Sequence, residues 1–534
     1  MPAFNIADLF ELVADTVPER EAVVCGASRR TYAELDERAT RLAHALQTEL
    51  GIEPGDHVGL QLYDSVEHVE AMLACYKARA VPINVNWRYV ADELRQVLDD
   101  AGARALFHEP ELAAVMEPAV ARGPAYESLL AAGSATRDFP PRSGDDHYVL
   151  YTGGTTGPPK GVVWRQEDIF FAVLGGGNPA GPPIEKPEEI TRTPLTNKAL
   201  RLRAFLPPDD PGPEQFIQLS LSPLIHAGGQ WSGLATLLGG GKVVLYHERH
   251  VDTGVVLSLV EREGITSLNM LGDVSAVPLL EELRAHPGRY DTSTVRLLGS
   301  GATMLSGDVK AELLERIPTA VAISEAVGSS EAPVEAATVT TRSGAPPRSL
   351  RFNARPETAV LDDELQPVVP GSGQVGRLAV RGRVPIGYHN DPQKSARTFI
   401  DIDGVRWTHT GDMATVEADG SIRLLGRGSE CINTGGEKVY PEEVEAVVKA
   451  HPGVADALVV GRPDPAWGQR VVALVQLADG ERLDLSQLDA HCRPHLAGYK
   501  LPRDLVTVEK VQRSPTGKPD YEWARRIATA DAVG

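Results

Sequence analysis

Residues 151–161 read YTGGTTGPPKG and directly follow a short apolar run at 148–150 that is typical of a strand. Glycine lets a backbone approach a ligand and point its N–H groups inward, threonine adds hydroxyl donors, and lysine adds positive charge. The segment therefore predicts a loop that binds phosphate groups. It is not a Walker A loop, because the GxxxxGK[ST] pattern does not fit and Pro159 precedes the lysine. The alternative is an ordinary glycine–threonine turn between two strands.

The sequence around this loop alternates between helical and strand-like patterns. The predicted elements are a helix at 31–46, a strand at 57–62, a helix at 67–78, and strands at 81–85, 242–246 and 294–298. This alternation of helices and strands is typical of a parallel sheet covered by helices, so the predicted fold class is α/β.

Three stretches depart from this alternation. Residues 177–215 are rich in proline and glycine, which indicates a long loop that is either a lid or binding loop or a disordered surface insert. Residues 373–382 and 401–426 are β-rich with turns and predict a β-subdomain. The last stretch, from about residue 430 to 534, is large enough for a separate small α+β domain.

Composition narrows the class of protein. The chain has 534 residues, too many for one hydrophobic core, and a net charge of −20, which disfavours nucleic acid and membrane surfaces as partners. The four cysteines are far apart, so reduced thiols are expected rather than disulfides or a zinc site. The first 20 residues form an amphipathic helical pattern rather than a signal peptide. No apolar run reaches transmembrane length, so the cytoplasm is the expected location.

The glycine–threonine loop resembles the phosphate loop of the adenylate-forming (AMP-binding) superfamily, in its acyl-CoA synthetase branch. Further family-like motifs follow in the expected order over nearly the whole chain. They are TYAEL at 31–35, SPLIHAGGQW at 222–231, SGA at 300–302, GSSE at 328–331, GYHNDP at 387–392, TGD at 410–412, GR at 426–427, GGEKVYPEEVE at 435–445 and PTGK at 515–518. The resemblance implies a large N-terminal domain of helix-covered sheets plus the β-subdomain (1–426), a hinge (427–430) and a small mobile C-terminal lid domain (431–534).

The resemblance implies an ATP- and Mg²⁺-dependent ligase that forms an acyl-adenylate and passes the acyl group to coenzyme A. Because carboxylate and phosphate are both anions, the rate should come from positioning and charge neutralisation. Lys518 is predicted to bridge the two reacting groups, and Glu331, with Thr152, to hold Mg²⁺, which prefers hard oxygen ligands. Asp412 should bind the ribose hydroxyls, and Arg427 should lie near ribose or phosphate. Each residue also has an ordinary alternative role. These roles are a solvated side chain for Lys518, a helix cap for Glu331, a turn position for Asp412 and a surface ion pair for Arg427.

The other predicted site residues form two groups. Those that would surround the adenine and the phosphates are Gly153, Gly154, Thr155, Thr156, Gly157, Lys160, Ser300, Gly301, Ala302, Val327, Gly328, Ser329 and Ser330. Those that would face coenzyme A are Gly435, Gly436, Glu437 and Lys438. Three positions depart from the family pattern: Gly153 replaces a serine, Val327 replaces an aromatic residue, and Ser429 replaces the usual Asp or Lys at the hinge.

The block at 222–231 resembles the family's acyl pocket. His226 matches a histidine near the substrate carboxylate, with a core histidine as the alternative. Amino-acid-activating relatives carry an aspartate shortly after this block, whereas here no acid occurs before Glu248. Small residues at 227–229 and 232–233 leave room for a bulky apolar tail. The chain also resembles actinobacterial fatty-acid and steroid side-chain CoA ligases in four places taken together: Gly153, VWR at 163–165, GSSE at 328–331 and GRGS at 426–429.

Other functions remain as alternatives. A fatty acyl-AMP ligase would pass the adenylate to a carrier protein instead of coenzyme A, and a luciferase-like oxygenase would use the same scaffold. A non-catalytic nucleotide-binding regulator is disfavoured because Lys518, Glu331 and Asp412 are all present. The expected partners are a small-molecule carboxylic acid, ATP and coenzyme A, and homo-oligomer formation stays open.

Overall fold

The computed structural model describes residues 2–112, 114–154, 157–176, 184–192, 206, 212–301, 305–342, 351–434, 437–464, 468–496, 498–514 and 517–530. The chain forms two compact units. Unit 1 comprises Met1–Val334, Val339–Pro346 and Arg381–Thr408, and unit 2 comprises Glu335–Thr338, Pro347–Val380 and His409–Gly534.

The described residues form strands and helices in alternation along much of the chain. The strands are β1 (Glu21–Cys25), β2 (Ser28–Thr31), β3 (His57–Gln61), β4 (Val81–Asn84), β5 (Ala103–His108), β6 (Ala119–Ala121), β7 (His147–Gly154), β8 (Gly157–Arg165), β9 (Ile217–Ser220), β10 (Lys242–Leu245), β11 (Ser267–Met270), β12 (Leu297–Ser300), β13 (Ala322–Val327), β14 (Ala336–Thr341), β15 (Arg351–Ala354), β16 (Thr358–Leu361), β17 (Gly376–Arg381), β18 (Gly387–Tyr388), β19 (Phe399–Ile402), β20 (Val405–Val416), β21 (Ile422–Arg427), β22 (Ile432–Thr434), β23 (Glu437–Val439), β24 (Val454–Asp464), β25 (Gly468–Leu477) and β26 (Asp504–Val508). The helices are α1 (Ile6–Thr16), α2 (Tyr32–Thr48), α3 (Val66–Lys77), α4 (Ala91–Ala101), α5 (Pro124–Ala132), α6 (Gln166–Ile169), α7 (Ala227–Leu238), α8 (Thr253–Glu263), α9 (Asp273–Ala285), α10 (Gly307–Arg316), α11 (Pro392–Thr398), α12 (Pro441–Lys449), α13 (Leu485–Cys492) and α14 (Tyr521–Ala530).

Helix α2 shows how local chemistry determines these elements. The Thr31 hydroxyl accepts a hydrogen bond from the backbone N–H of Glu34 at 3.2 Å, and the Glu34 carboxylate accepts one from the backbone N–H of Thr31 at 2.8 Å. This capping box pairs two N–H groups that the start of a helix would otherwise leave unpaired. One face of the helix then buries Tyr32, Leu35 and Leu42. The predicted helix start at residue 31 is confirmed to within one residue.

Unit 1 is built on helix-covered sheets, which confirms the α/β prediction. Its main sheet has the order β13-β12-β11-β9-β10-β1-β2, and its neighbouring pairs are parallel except β1–β2. A second, parallel sheet has the order β4-β3-β5-β6. A third, antiparallel sheet has the order β18-β8-β7. Leu257, Leu280 and Leu313, from α8, α9 and α10, are fully buried in one core cluster with Leu268 and Leu298 of the main sheet.

Unit 2 contains the β-rich region and the end of the chain. One sheet has the order β16-β17-β20-β21-β15-β14 and the other the order β23-β22-β25-β24, with β26 parallel to β25. Alternate residues of β24 point to opposite faces, so Val459 joins a core with Val444 of α12 while Leu458 joins one with Ala524 of α14. The predicted boundary at 427–430 falls within this unit, and its role as a hinge stays a prediction.

Two features of the chain differ from the sequence patterns. The strand predicted at 294–298 begins only at Leu297, because the backbone N–H of Val295 closes a turn onto the carbonyl of Thr292 at 3.0 Å. Residues 177–215 lie largely outside the described residues, but their described part includes a 3₁₀ helix at Pro187–Thr191 that the loop prediction lacked. The four cysteines are reduced thiols, as their spacing predicts. Among the described residues, every helix is too short or too polar to cross a bilayer.

Candidate functional site

The carboxyl ends of the parallel strands in unit 1 bring together three of the predicted motifs. Cα partners run from Ser220 on β9 to Asn269 on β11, and Met270 in turn pairs with Ser300 on β12, which pairs with Glu325 on β13. Because parallel strands end at the same edge, the segments after β9, β12 and β13 emerge side by side. Those segments contain the 222–231 block, Ser300–Gly301 and 327–331. Ligands of open α/β sheets bind at this edge.

The predicted phosphate loop spans the end of β7 and the start of β8, which pair with each other in antiparallel fashion. Thr152 lies opposite Lys160, and Gly154 lies opposite Gly157. Thr155 and Thr156 lie outside the described residues, and the hairpin places Gly153 within β7. The Lys160 ammonium lies 3.8 Å from an Asp391 carboxylate oxygen, so this half-buried cation already faces one anion.

Asn84, which the sequence patterns had shown only as a strand residue, joins this hairpin to the 222–231 block. Its side-chain oxygen accepts a hydrogen bond from the backbone N–H of Tyr151 at 2.7 Å. Its side-chain nitrogen donates to the carbonyls of Tyr151 and Ile225, both at 2.8 Å. Asn84 is only 5% exposed, so these bonds are shielded from water. Thr152 directly follows Tyr151, and His226 directly follows Ile225. The Asn84 bonds therefore hold Thr152 and His226 in fixed positions relative to each other.

The same hairpin is anchored by a buried tyrosine. The Tyr151 hydroxyl donates to the Asp100 carboxylate at 2.8 Å. Burial, reinforced by Asp100, raises the pKa of Tyr151 far above its ordinary value, so the hydroxyl keeps its proton at every physiological pH.

Glu331 lies in a tight turn rather than at the start of a helix. Ser329 and Ala332 exchange two backbone hydrogen bonds, of 2.8 and 3.2 Å, and the next element is β14. The helix-capping alternative for Glu331 is therefore wrong. A Cβ on Gly328 would lie 2.2 Å from the carbonyl oxygen of Pro333, so only glycine fits at the start of the turn.

Two residues of the three-stranded sheet hold this turn. The Tyr388 hydroxyl of β18 donates to a Glu331 carboxylate oxygen at 2.6 Å. The indole N–H of Trp164, in β8, donates to the carbonyl of Ser330 at 3.1 Å. The sheet that contains the predicted phosphate loop thus also positions the turn that carries Glu331.

His226 occupies the position just before helix α7 and is half-buried. Its carbonyl accepts the backbone N–H of Gln230 at 3.1 Å, while the Gln230 side chain accepts the buried Tyr148 hydroxyl at 2.7 Å. The exposed face of α7 contains Gly228 and the partly exposed Ser232. This face is therefore open and lined by small residues.

The remaining predicted nucleotide site lies in unit 2. Asp412 is 9% exposed and lies opposite Arg427 in the β20–β21 pair. The Thr410 hydroxyl lies 2.9 Å from an Asp412 carboxylate oxygen and 3.0 Å from one of Glu335. Within this unit the structure therefore brings Asp412 and Arg427 together on paired strands.

Lys518, in the same unit, is exposed and follows Gly517, whose φ of +80° favours glycine. Its backbone N–H donates to the Ser514 hydroxyl at 3.1 Å, and its carbonyl accepts the N–H of Ser514 at 2.8 Å. Ser429 lies in a short 3₁₀ helix, Gly428–Glu430. Glu437 and Lys438 belong to β23, whereas Ala302, Gly435 and Gly436 lie outside the described residues.

Comparison with known protein families shows what kind of enzyme carries this arrangement. The family model described as "AMP-binding enzyme" matches residues 10–388, and the one described as "AMP-binding enzyme C-terminal domain" matches residues 443–518. This chain belongs to the AMP-binding enzyme family. The family predicted from the motifs is thereby confirmed.

Relatives of this AMP-binding enzyme have similar lengths and carry ligase names. The chain is 40% identical over 551 residues to "3-oxocholest-4-en-26-oate--CoA ligase" of Rhodococcus rhodochrous, covering 98% of this chain and 96% of the relative. It is 42% identical to "Medium/long-chain-fatty-acid--CoA/3-oxocholest-4-en-26-oate--CoA ligase" of Mycobacterium tuberculosis strain H37Rv, covering 99% and 97%. The predicted class of acid–thiol ligases is confirmed.

Solved structures agree on the fold. The anthranilate CoA ligase AuaEII in complex with anthranoyl-AMP matches with a TM-score of 0.81 at 22% identity, covering 100% of this chain and 99% of that one. ATP-bound MatB from Rhodopseudomonas palustris matches with a TM-score of 0.79 at 26% identity, covering 98% of both chains. The predicted architecture of this AMP-binding enzyme is therefore confirmed.

The residues of this AMP-binding enzyme fit a magnesium ion bound with nucleotide. Magnesium is held by hard oxygens, usually one or two carboxylates together with substrate phosphates and water. Glu331 supplies a half-buried carboxylate whose orientation a phenol already fixes. Among the described residues, no group of three His, Cys, Asp or Glu side chains is placed to hold a metal ion.

Proposed function

We propose that this AMP-binding enzyme joins an apolar carboxylic acid, a medium-to-long-chain fatty acid or a steroid side-chain acid, to coenzyme A with ATP. One observation carries the substrate class: relatives 40–42% identical over nearly their whole length are named for these acids. The acyl-pocket block adds support, because no acidic residue occurs between His226 and Glu248 to bind an ammonium group.

The first half-reaction forms an acyl-adenylate. A carboxylate oxygen of the acid attacks the α-phosphorus of ATP, the bond from that phosphorus to the bridging oxygen breaks, and diphosphate leaves. Lys518 neutralises the charge that accumulates between carboxylate and α-phosphate, which is where an ammonium stabilises the transition state most. The N–H groups of residues 152–157 and the Lys160 ammonium hold the β- and γ-phosphates. Glu331 and Thr152 would hold Mg²⁺, which supplies further charge neutralisation on the phosphates.

The ribose and the adenine of the nucleotide are assigned to separate motifs. Asp412 accepts hydrogen bonds from the ribose hydroxyls, and Arg427 on the paired strand contacts ribose or phosphate. Adenine rests against Ser300–Ala302 and the aliphatic Val327, followed by the turn 328–330. Because Val327 offers less stacking surface than an aromatic ring, hydrogen bonds to the adenine edge carry a larger share of its recognition.

The second half-reaction transfers the acyl group. The thiol sulfur of coenzyme A attacks the carbonyl carbon, the bond from that carbon to the phosphate oxygen breaks, and AMP leaves while the thiol proton passes to solvent. Gly435 and Gly436 allow the narrow pantetheine arm to pass close to backbone, flanked by Glu437 and Lys438. Rotation about Ser429 exchanges Lys518 for this loop between the two half-reactions.

The acid is held by the segment after β9. His226 orients the carboxylate, and the small residues that follow leave space for the apolar tail. The Asn84 bonds keep this segment in register with the phosphate loop, so that the carboxylate oxygen meets the α-phosphorus at a reactive distance.

The direct test is a panel of acids supplied with ATP and Mg²⁺, with and without coenzyme A. Acetate, octanoate, palmitate, a 3-oxo steroid side-chain acid, ferulate and phenylalanine cover the relevant chemistries. Diphosphate release is measured enzymatically, and acyl-CoA by mass spectrometry. We expect coenzyme A-dependent thioester formation with the apolar acids and none with phenylalanine.

The same panel separates the alternatives. Diphosphate released in a single burst, with adenylate retained and no acyl-CoA formed, would identify an acyl-AMP ligase that needs a carrier protein. Nucleotide binding without diphosphate release from any acid would identify a regulator. Preference for ferulate over palmitate and the steroid acid would contradict the substrate class while leaving the ligase chemistry intact.

A further inference from the structure

Tyr388 is the best-placed side chain near the proposed magnesium carboxylate that has no role in the scheme above. Its hydroxyl donates to Glu331 at 2.6 Å, a length typical of a bond from a hydroxyl to an ionised carboxylate. The two residues are 57 positions apart in the chain, so the contact depends on the tertiary fold.

The tyrosine is itself held on several sides. It is 8% exposed, and as part of β18 its backbone pairs with Val162 of the phosphate-loop hairpin. Its backbone N–H donates to the Ser395 hydroxyl at 2.8 Å. Its ring packs on Phe399 with centroids 5.3 Å apart, and the Lys394 ammonium lies 4.1 Å from the ring centroid. The hydroxyl is thus a preorganised donor rather than a freely rotating surface group.

We propose that Tyr388 is a positioning residue: its hydroxyl holds the Glu331 carboxylate in the orientation that binds the magnesium–nucleotide complex. The proposal rests on the proposed function of Glu331. The phenol fixes one carboxylate oxygen of Glu331, and the other oxygen would be available to bind a metal ion. Carboxylates that bind metals are commonly oriented by such outer hydrogen bonds, and the loss of one typically weakens metal binding about 10–100-fold.

The geometry also explains why β18 belongs to the phosphate-loop sheet. Tyr388 reaches Glu331 from β18, and Trp164 reaches the neighbouring Ser330 carbonyl from β8. The phosphate loop and the magnesium carboxylate are therefore positioned by one small sheet. A displacement of either strand would move both halves of the phosphate site together.

The test is Tyr388→Phe, which removes one oxygen and keeps the ring. Tyr126→Phe is the matched control, because the Tyr126 hydroxyl donates to the buried Glu70 carboxylate at 2.9 Å within the same unit. Calorimetry measures the dissociation constant of a non-hydrolysable α,β-methylene ATP analogue with excess Mg²⁺ and with EDTA. The dissociation constant in EDTA divided by the dissociation constant with Mg²⁺ gives a ratio that reports the metal's contribution to binding without requiring catalysis.

We expect Tyr388→Phe to lower that ratio about tenfold, with the constant in EDTA unchanged. Tyr126→Phe should lower the melting temperature and leave the ratio unchanged. In a Glu331→Gln background, Tyr388→Phe should add no further loss, because its partner carboxylate is already gone. The same tenfold shift should appear in the Mg²⁺ concentration that half-saturates adenylation, with kcat nearly unchanged.

The Glu331→Gln and Tyr388→Phe variants distinguish a failure of the magnesium role of Glu331 from a failure of the positioning role of Tyr388. If Glu331→Gln leaves the ratio unchanged, the magnesium role of that glutamate is wrong and the proposed function must be revised. If Glu331→Gln lowers the ratio but Tyr388→Phe does not, the positioning role is wrong while the site stands. Equal weakening with and without metal would likewise overturn the proposal, because it would indicate general loosening of the site.

Discussion

Replacement of Asn84 by leucine tests whether the phosphate loop and the acyl-pocket block act as one aligned site. The substitution removes three hydrogen bonds of 2.7–2.8 Å and leaves two backbone groups of Tyr151 and one of Ile225 without them. Each buried polar group left unsatisfied costs about 1–3 kcal/mol, so the destabilisation should be about 3 kcal/mol or more. The two segments would also lose their common register. A misplacement of about 1 Å lowers a rate about 100-fold when geometry determines reactivity.

A matched control distinguishes lost stability from lost alignment. Asn5 is fully buried and makes three comparable side-chain bonds, to Ala7, Ser143 and Asp146, at 2.9, 3.3 and 3.1 Å. Asn5→Leu should therefore lower the melting temperature to a similar extent and leave the chemistry intact.

The assay is single-turnover acyl-adenylate formation with ATP and acid both saturating, followed by quenched-flow sampling, beside thermal unfolding of each variant. We expect a rate about 100-fold below that of the parent protein for Asn84→Leu and within threefold for Asn5→Leu. Equal rates in the two variants would refute the reasoning, because Asn84 would then contribute stability alone.

Three further predictions follow from the same structure. Lys518→Ala should abolish diphosphate release. Its melting temperature should stay within about 1 °C of that of the parent protein, because this side chain is exposed and surface substitutions rarely change stability. Unchanged diphosphate release would remove Lys518 from the mechanism. Gly328→Ala places a Cβ 2.2 Å from a backbone oxygen and should displace the turn that carries Glu331. Calorimetry should therefore show ATP binding weakened at least about tenfold. Unaltered ATP binding would contradict a rigid turn. Burial by itself would raise the pKa of Glu11, but Lys77 and Arg142 together hold that pKa below its ordinary value of 4.5. The stabilisation by the Glu11 ion pairs is therefore present above pH 4.5 and is lost as the pH falls through the lower pKa of the folded protein. Glu11→Gln should make the free energy of unfolding, measured with denaturant, fall less steeply with decreasing pH in the acid range. An unchanged pH dependence would contradict this linkage.

Features determined by nearby residues could be predicted from the sequence. The start of α2 follows from Thr31 and Glu34, which cap the helix within a single turn. The strand β7 follows from the apolar run at 148–150, and phosphate binding by the segment after it stays a prediction. The parallel topology of the main sheet follows from the strand–helix alternation.

The remainder depends on contacts between distant residues. The sequence indicates only that Asn84 is part of a strand. Its hydrogen bonds could not be predicted, because its partners Tyr151 and Ile225 lie 67 and 141 positions away. Tyr388 likewise gives no local sign of its bond to Glu331. The two-residue strand β18 is too short to show any periodicity, so its place in the phosphate-loop sheet emerges only from the fold.

The late start of β12 has a similar origin. Val295 is apolar and suits a strand, but its backbone N–H is used by the turn onto Thr292, and only Leu297 is free to pair with β11 and β13. Turn geometry therefore overrides strand propensity at this boundary.

The central claim is that a carboxylate oxygen of the acid attacks the α-phosphorus of ATP before the thiol acts. Palmitate labelled with ¹⁸O in both carboxylate oxygens, turned over with ATP, Mg²⁺ and coenzyme A, tests it most directly by mass spectrometry of the products. The proposed pathway predicts one ¹⁸O in the phosphate of each AMP formed and none in diphosphate. Unlabelled AMP, or ¹⁸O in inorganic phosphate or diphosphate, would contradict it.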